Sequence, residues 1–283
     1  MKLLKMKMIL LLVSQIVFSC FDKSLGESND CIPLSDNPDS AKYLKILFIG
    51  NSHTYTHDIP QTISFMAASK SDSASIRQEA LGGYTLKQHS RRLETLDAIK
   101  SEKWDFVILQ EQGGIQALPK SIADTVIYRY AQILTNHIRA NRQDTKIILY
   151  MTHGYKNGVL TWNDVLWCKE DPLVCTYSGM QRRVKDNSIT LSGILHADVA
   201  PAGVLWKIIM DEHRKLDLFD SDGTHATPIG SYLSACVLYS VIFKKRPILI
   251  YKPETIVEET AQIIQNTVAR TLFDCDPNWK DYK

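Results

Sequence analysis

The sequence predicts an α/β fold in which a central parallel sheet lies between two layers of helices, a three-layer α/β/α architecture. Tyr43 to Ile49 is a nearly continuous apolar run with β-branched and aromatic residues, the composition of a strand covered on both faces. Strand-like and helix-like patterns then alternate with short connections, which requires parallel strands and crossover helices. The envelope agrees, since 283 residues with 45% apolar and 23% charged content suit one domain of catalytic size.

Taken in order, the first strand ends at Gly50-Asn51, and Pro60 to Ala68 predicts a helix. Ser75 to Ala80 reads as a second strand, followed by the turn Leu81-Gly82-Gly83-Tyr84. Leu86 to Lys100 repeats apolar residues at helical spacing, and Trp104 to Leu109 is a third strand. Ile122 to Ile138 predicts one long amphipathic helix, and Lys146 to Met151 a fourth strand. The stretch from His153 to Thr176 has no sustained periodicity, and loops of such length are often functional. Tyr177 to Ser192 predicts a helix, Ile194 to Val199 a fifth strand, and Gly203 to Arg214 another helix. Pro228 opens the apolar helix Ile229 to Phe243, where its missing donor costs little, and Glu254 to Leu272 closes the fold as an amphipathic helix.

The N-terminus carries an address. Lys2, Lys5 and Lys7 precede the apolar run Met8 to Val17, which is too short to span a bilayer and reads as an export signal over residues 1–19. Val17-Phe18-Ser19-Cys20 resembles a bacterial lipoprotein signal, in which Cys20 would be lipidated and become the mature N-terminus; the plainer alternative is secretion with cleavage near Ser19. Residues 20–42 suit a tether from the membrane to a domain at 43–273, with 274–283 as a tail. Export to the periplasm or cell surface permits disulfides, so Cys168 with Cys175 and Cys31 with Cys275 are candidate pairs, whereas Cys236 lies in an apolar run and reads as a buried thiol. No Cys-x-x-Cys pair points to a metal, and a formal net charge of +2 without a basic stripe speaks against a nucleic-acid partner.

Two stretches can carry chemistry. In Gly50-Asn51-Ser52-His53, Ser52 falls at the C-terminal edge of the sheet, where open α/β folds place their ligands. On that stretch alone, a turn or helix cap is the favoured reading. In Asp222-Gly-Thr-His225, the spacing on a turn of helix would bring a carboxylate beside an imidazole. A serine hydroxyl needs a base to take its proton, and His225 has the intrinsic pKa nearest to neutrality. Asp222 would hold its tautomer.

With these residues, the chain resembles the SGNH, or GDSL-type, hydrolases from Tyr43 to about Phe243. Gly50-Asn51-Ser52-His53 is close to that family's Gly-Asp-Ser, with Asn51 in place of Asp, and Gly82-Gly83 follows the second strand. Gln110-Glu111-Gln112 stands where the family has Gly-x-Asn, and Asp222-Gly-Thr-His225 matches its Asp-x-x-His. The resemblance implies a flavodoxin-like SGNH hydrolase fold with Ser52 as nucleophile and Asp222 and His225 as its partners. The implied oxyanion hole comprises the Ser52 N–H, the Gly83 N–H with Gly82 as the other choice, and the Gln112 amide with Gln110 as the alternative donor. Glu111 would be a polar wall. No cofactor is implied.

The implied activity is an exported serine esterase acting on an ester-bearing small molecule or an acylated glycan, with carbohydrate deacetylation as the substrate step. Its rivals are a glycan acyltransferase using the same intermediate and a catalytically silent glycan-binding lipoprotein. An α/β-hydrolase plan fits less well, because Thr54 stands where a Gly-x-Ser-x-Gly elbow needs glycine. His53 and His57 lack a His-Glu-x-x-His context and read as packing or solvent-facing groups. Trp162 and Trp167 either stack on a sugar or pin their loop.

Overall fold

Strand composition and alternation lead to the observed sheet. The computed structural model describes residues 31–34, 41–161 and 171–283. The expected signal, the lipid attachment at Cys20, and Cys168, Trp162 and Trp167 lie outside them. Strands β1 (Tyr43–Gly50), β2 (Ser73–Ala80), β3 (Phe106–Leu109), β4 (Lys146–Tyr150) and β5 (Asp198–Ala200) form one parallel sheet in the order β2-β1-β3-β4-β5. The chain runs outward from β1 to β2, then crosses to β3 on the other side. That reversal leaves a crevice at the carboxyl ends of β1 and β3, the switch point where such sheets bind ligands.

Successive strand residues point to opposite faces, and two cores result. Ile46, Phe48, Ile108, Ile148 and Tyr150 pack with the helices Ile59–Ala68, Ala202–Glu212, Pro228–Phe243 and Glu258–Phe273. Leu47, Ile49, Val107, Leu109, Ile147 and Leu149 face the other layer, which includes Leu93–Ser101 and Arg129–Asn141. The helix Pro228–Phe243 is buried at every residue from Gly230 onward. Such all-round burial explains its largely apolar sequence, in which Ser231, Ser234 and Ser240 are the hydroxyl-bearing exceptions besides its tyrosines.

Several elements differ from the sequence expectation, each for a tertiary reason. The run Leu86 to Lys100 divides into Leu86–His89 and Leu93–Ser101, because His89 turns fully inward. Its Nε2–H donates to the Gly50 carbonyl at 2.8 Å, and its Nδ1 lies 2.9 Å from the Thr95 hydroxyl. The helix expected from Ile122 begins at Lys120 and contains a π turn over Asp124–Tyr128, which leaves both Ile127 and Tyr128 buried. The fifth strand starts at Asp198 rather than Ile194. Leu191 and Leu195, four apart, continue the apolar face of the helix Tyr177–Leu195, which ends at His196 in the left-handed region.

The two ends of the described domain are tied together. Cys31 is disulfide-bonded to Cys275 across a separation of 244 residues, and Cys175 is also disulfide-bonded. Cys236 is a buried free thiol. Residues 274–283 pack on the body: Trp279 is buried, and Lys185 Nζ donates to the carbonyls of Lys280 and Tyr282 at 2.8 and 2.7 Å. A cross-link over so long a loop restricts the unfolded chain strongly. Replacing both Cys31 and Cys275 by Ser should lower unfolding free energy by about 2–5 kcal/mol, measured by urea denaturation; an unchanged midpoint would contradict the assigned role.

Candidate active site

The turn after β1 is built around one amide. Gln110, fully buried at the end of β3, accepts on Oε1 from the Asn51 N–H at 2.8 Å and from the Thr54 hydroxyl at 2.9 Å, while its Nε2 donates to the Glu111 carbonyl at 2.6 Å. A Cβ on Gly50 would sit 2.5 Å from both Gln110 Oε1 and Thr54 Oγ1, so glycine serves close approach here. The capping role falls to Asn51, whose Oδ1 accepts from the His53 N–H at 3.1 Å. Its Nδ2 donates to the Tyr84 carbonyl at 2.9 Å and ties in the Gly82-Gly83 turn. Ser52 is left with its side chain free for another partner.

That partner is His225. Its Nε2 lies 2.8 Å from Ser52 Oγ, joining positions 173 apart in sequence, and its Nδ1 lies 2.5 Å from Asp222 Oδ2. Asp222 and His225 are not on a helix, as their spacing suggested, but in the loop between the isolated bridge partners Phe219 and Ala226. Proximity comes instead from an Asx-type turn, in which Asp222 Oδ1 accepts from the N–H groups of Thr224 and His225, both at 2.8 Å. Burial would raise the Asp222 pKa. The hydrogen bonds from the His225 ring and from these two N–H groups outweigh it and hold the carboxyl at about 2. The imidazole therefore keeps its Nδ1 proton towards Asp222 and presents an Nε2 lone pair to Ser52.

Hydrogen bonds to successive carbonyls hold this loop against the body. The Lys156 N–H donates to Gly223 O at 2.8 Å, His153 Nε2–H to Thr224 O at 2.9 Å, and His57 Nε2–H to Ala226 O at 3.1 Å, while His225 O accepts from the Asp220 N–H. His57 and Asp58 both occupy the left-handed region, at φ 53° and 50°; such strain persists where surrounding contacts over-determine it. His153 is stacked on Trp206 with centroids 3.6 Å apart, and burial pushes its pKa down to about 4, so the ring is neutral at physiological pH. His53 is buried edge-on to His153, and burial drives its pKa well below the ordinary range. His53 is thus a packing residue and His57 an exposed one, the two roles expected of histidines outside a ligand pair. Among the described residues, no group of His, Cys, Asp and Glu is arranged to hold a metal.

The cleft has a volume of about 270 Å³ and is lined by Ser52, His225, Gly83, Gln112, Tyr155 and neighbouring polar residues. Gly83 has φ +70°, a conformation that other residues adopt at a cost, and no described residue accepts a hydrogen bond from its N–H or from that of Ser52. Gly82 does not line the cleft. Gln112 does, whereas the Gln110 amide is spent on the turn beneath Ser52. Glu111 is buried rather than a wall of the cleft. Its carboxyl group accepts from the Gln112 N–H at 2.7 Å and the Leu86 N–H at 3.2 Å, and so it bridges the two loops that carry Gln112 and Gly83. Sequence reasoning did not find Tyr155 or His153. Their signal was position, since both follow β4 at the carboxyl edge of the sheet.

No protein-family model matches the chain, and no curated protein does. Solved structures do share its fold. A DUF4886 family protein from Bacteroides uniformis aligns over 81% of this chain and 94% of its own at 18% identity, with a TM-score of 0.64. A proposed SGNH hydrolase from Slackia heliotrinireducens aligns over 72% of this chain and 100% of its own at 25% identity, with a TM-score of 0.56. The acetyl xylan esterase AlAXEase aligns over 70% and 100% at 14% identity, with a TM-score of 0.50. The chain therefore has the α/β fold of SGNH hydrolases.

Burial pushes the Glu111 pKa from 4.5 up to about 8, against the opposing hydrogen bonds from Gln112 and Leu86. The unfolded chain thus releases this proton near pH 4.5, and the folded chain near pH 8, so the stability present at low pH declines as pH rises through that window. The buried, neutral His53 and His153 act in the opposite sense but alike in both proteins, so the urea unfolding free energy of wild type relative to Glu111→Gln should fall between pH 5 and pH 8. Equal slopes in the two proteins would contradict the assignment.

Proposed function

We propose that the chain is an exported serine esterase that cleaves carboxylic esters through an acyl-Ser52 intermediate, with short acyl groups on carbohydrate as its substrates. The continuous hydrogen-bond chain from Ser52 through His225 to Asp222 carries the proposal. His225 Nε2 takes the Ser52 proton as Oγ attacks the ester carbon, and Asp222 stabilises the imidazolium that forms. Negative charge develops on the former carbonyl oxygen, where the N–H groups of Ser52 and Gly83 and the Gln112 amide would stabilise it. Collapse breaks the ester C–O bond, with the Nε2 proton passing to the departing alcohol. Water, deprotonated by His225, then attacks the acyl-Ser52 carbon; the proton returns to Ser52 as the carboxylic acid leaves.

The small cleft, flanked by the polar ends of Gln112 and Tyr155, favours short acyl groups over long alkyl chains. AlAXEase, with the same fold, acts on acetylated xylan by its name, which supports a carbohydrate ester. An acyltransferase would share every step to acyl-Ser52 and differ only in the acceptor. The contact between Ser52 and His225 favours either enzyme over a silent binding protein. The Cys31–Cys275 disulfide supports an oxidising, extracytoplasmic compartment, consistent with lipid attachment at Cys20.

Wild type should hydrolyse p-nitrophenyl acetate faster than the octanoate. Ser52→Ala should lower kcat by at least about 10³-fold while leaving the melting temperature nearly unchanged. Equal rates for wild type and Ser52→Ala would remove the nucleophile assignment.

A further inference from the structure

Glutamine is an awkward oxyanion donor. It has one more rotatable bond than asparagine, and a donor that must be ordered at each turnover stabilises charge less well than one already in place. In this chain the extra freedom of Gln112 is removed at both ends of the amide. Oε1 accepts from the Ile115 N–H at 2.8 Å, and Nε2 donates to the Tyr155 hydroxyl at 3.0 Å. A backbone N–H can only donate, so it fixes which end of the amide is oxygen. One Nε2 hydrogen goes to Tyr155. The other meets no acceptor among the described residues, and Gln112 lines the cleft with Ser52 and Gly83.

The Tyr155 hydroxyl is itself located by a second donor, the Gly114 N–H at 2.9 Å. Its ring lies against the backbone at Gly113, where a Cβ would approach Cε1 to 2.9 Å, so the ring and the hydroxyl reach Gln112 only across a glycine. The Tyr155 backbone is anchored in turn. Its N–H contacts Met180 Sδ at 3.1 Å, and the neighbouring Gly154 N–H donates to Gln181 Oε1 at 2.7 Å. Tyr155 is buried and comes from the segment that follows β4, independent of the elements that carry Ser52, Gly83 and His225.

We propose that Tyr155 is a positioning residue that presents the Gln112 amide N–H to the oxyanion, with Gln112, Gly113, Gly114 and Tyr155 acting as one unit. This rests on the reading of Gln112 as an oxyanion donor. It assigns Tyr155 an effect on the transition state that is exerted through Gln112.

The test is a double-mutant cycle on p-nitrophenyl acetate hydrolysis with wild type, Gln112→Ala, Tyr155→Phe and the double variant. Gln112→Ala should lower kcat by about 10²–10³-fold. Tyr155→Phe should lower kcat roughly 10-fold or more with KM changed less than about twofold, and should have no further effect in the Gln112→Ala background. If Gln112→Ala lowers kcat but Tyr155→Phe is neutral or multiplies with it, the Tyr155 proposal is overturned and the donor reading stands. If Gln112→Ala leaves kcat unchanged, the donor reading falls, and the proposal with it. Thermal melting checks folding; Tyr155→Leu, which also lacks the acceptor, replaces Tyr155→Phe in the cycle if that variant does not fold.

Discussion

The position of Ser52 depends on the buried amide oxygen of Gln110, which accepts two hydrogen bonds from the turn that carries it. A polar side chain with no exposure is tolerable only when its groups are paired, and here each pairing acts on the site. The next two residues continue the pattern. Glu111 bridges Leu86 and Gln112, and Gln112 lines the cleft. The three residues at the end of β3 thus reach three different parts of the site, which follows from the place of β3 beside β1 at the switch point of the sheet.

The Asp222–His225 loop poses the opposite problem, since it is partly exposed and lacks regular structure. Carbonyl acceptors fix it in place of a hydrophobic face. Donors from His57, His153 and Lys156 reach Ala226, Thr224 and Gly223, and they come from segments following β1 and β4. Burial keeps His153 neutral, so the stacked ring supplies an Nε2–H without introducing charge next to His225. Strain at His57 and Asp58 lies between Ser52 and this loop, where the contacts to both sides hold it.

Much of this was legible in the residues alone. β1, β3 and β4 are short runs buried on both faces, and their apolar composition identified them within two residues at their ends. The convergence of Ser52, Gly83, Asp222 and His225 on one cleft was expected from the motif blocks that carry them. The juxtaposition of Asp222 and His225 was expected for the wrong local reason, since an Asx-type turn and a helical turn both join residues three apart. The division at His89 and the late start of β5 were not legible, because each depends on a tertiary partner rather than on periodicity. Gln110 and Gln112 were not separable from spacing, as only the fold shows which amide lines the cleft and which holds the turn beneath Ser52. Tyr155 left one trace, the glycine pair at 113 and 114 that gives it room.

If the hydrogen-bond chain through His225 to Asp222 activates Ser52, its oxygen should react with a phosphorus electrophile. A fluorophosphonate forms a stable bond with an activated serine oxygen, and peptide mass spectrometry locates it. A single adduct is expected on the peptide containing Ser52 in the intact protein, and none there in His225→Ala. An absence of labelling in folded wild type, or an adduct on a different serine, would contradict the activation of Ser52.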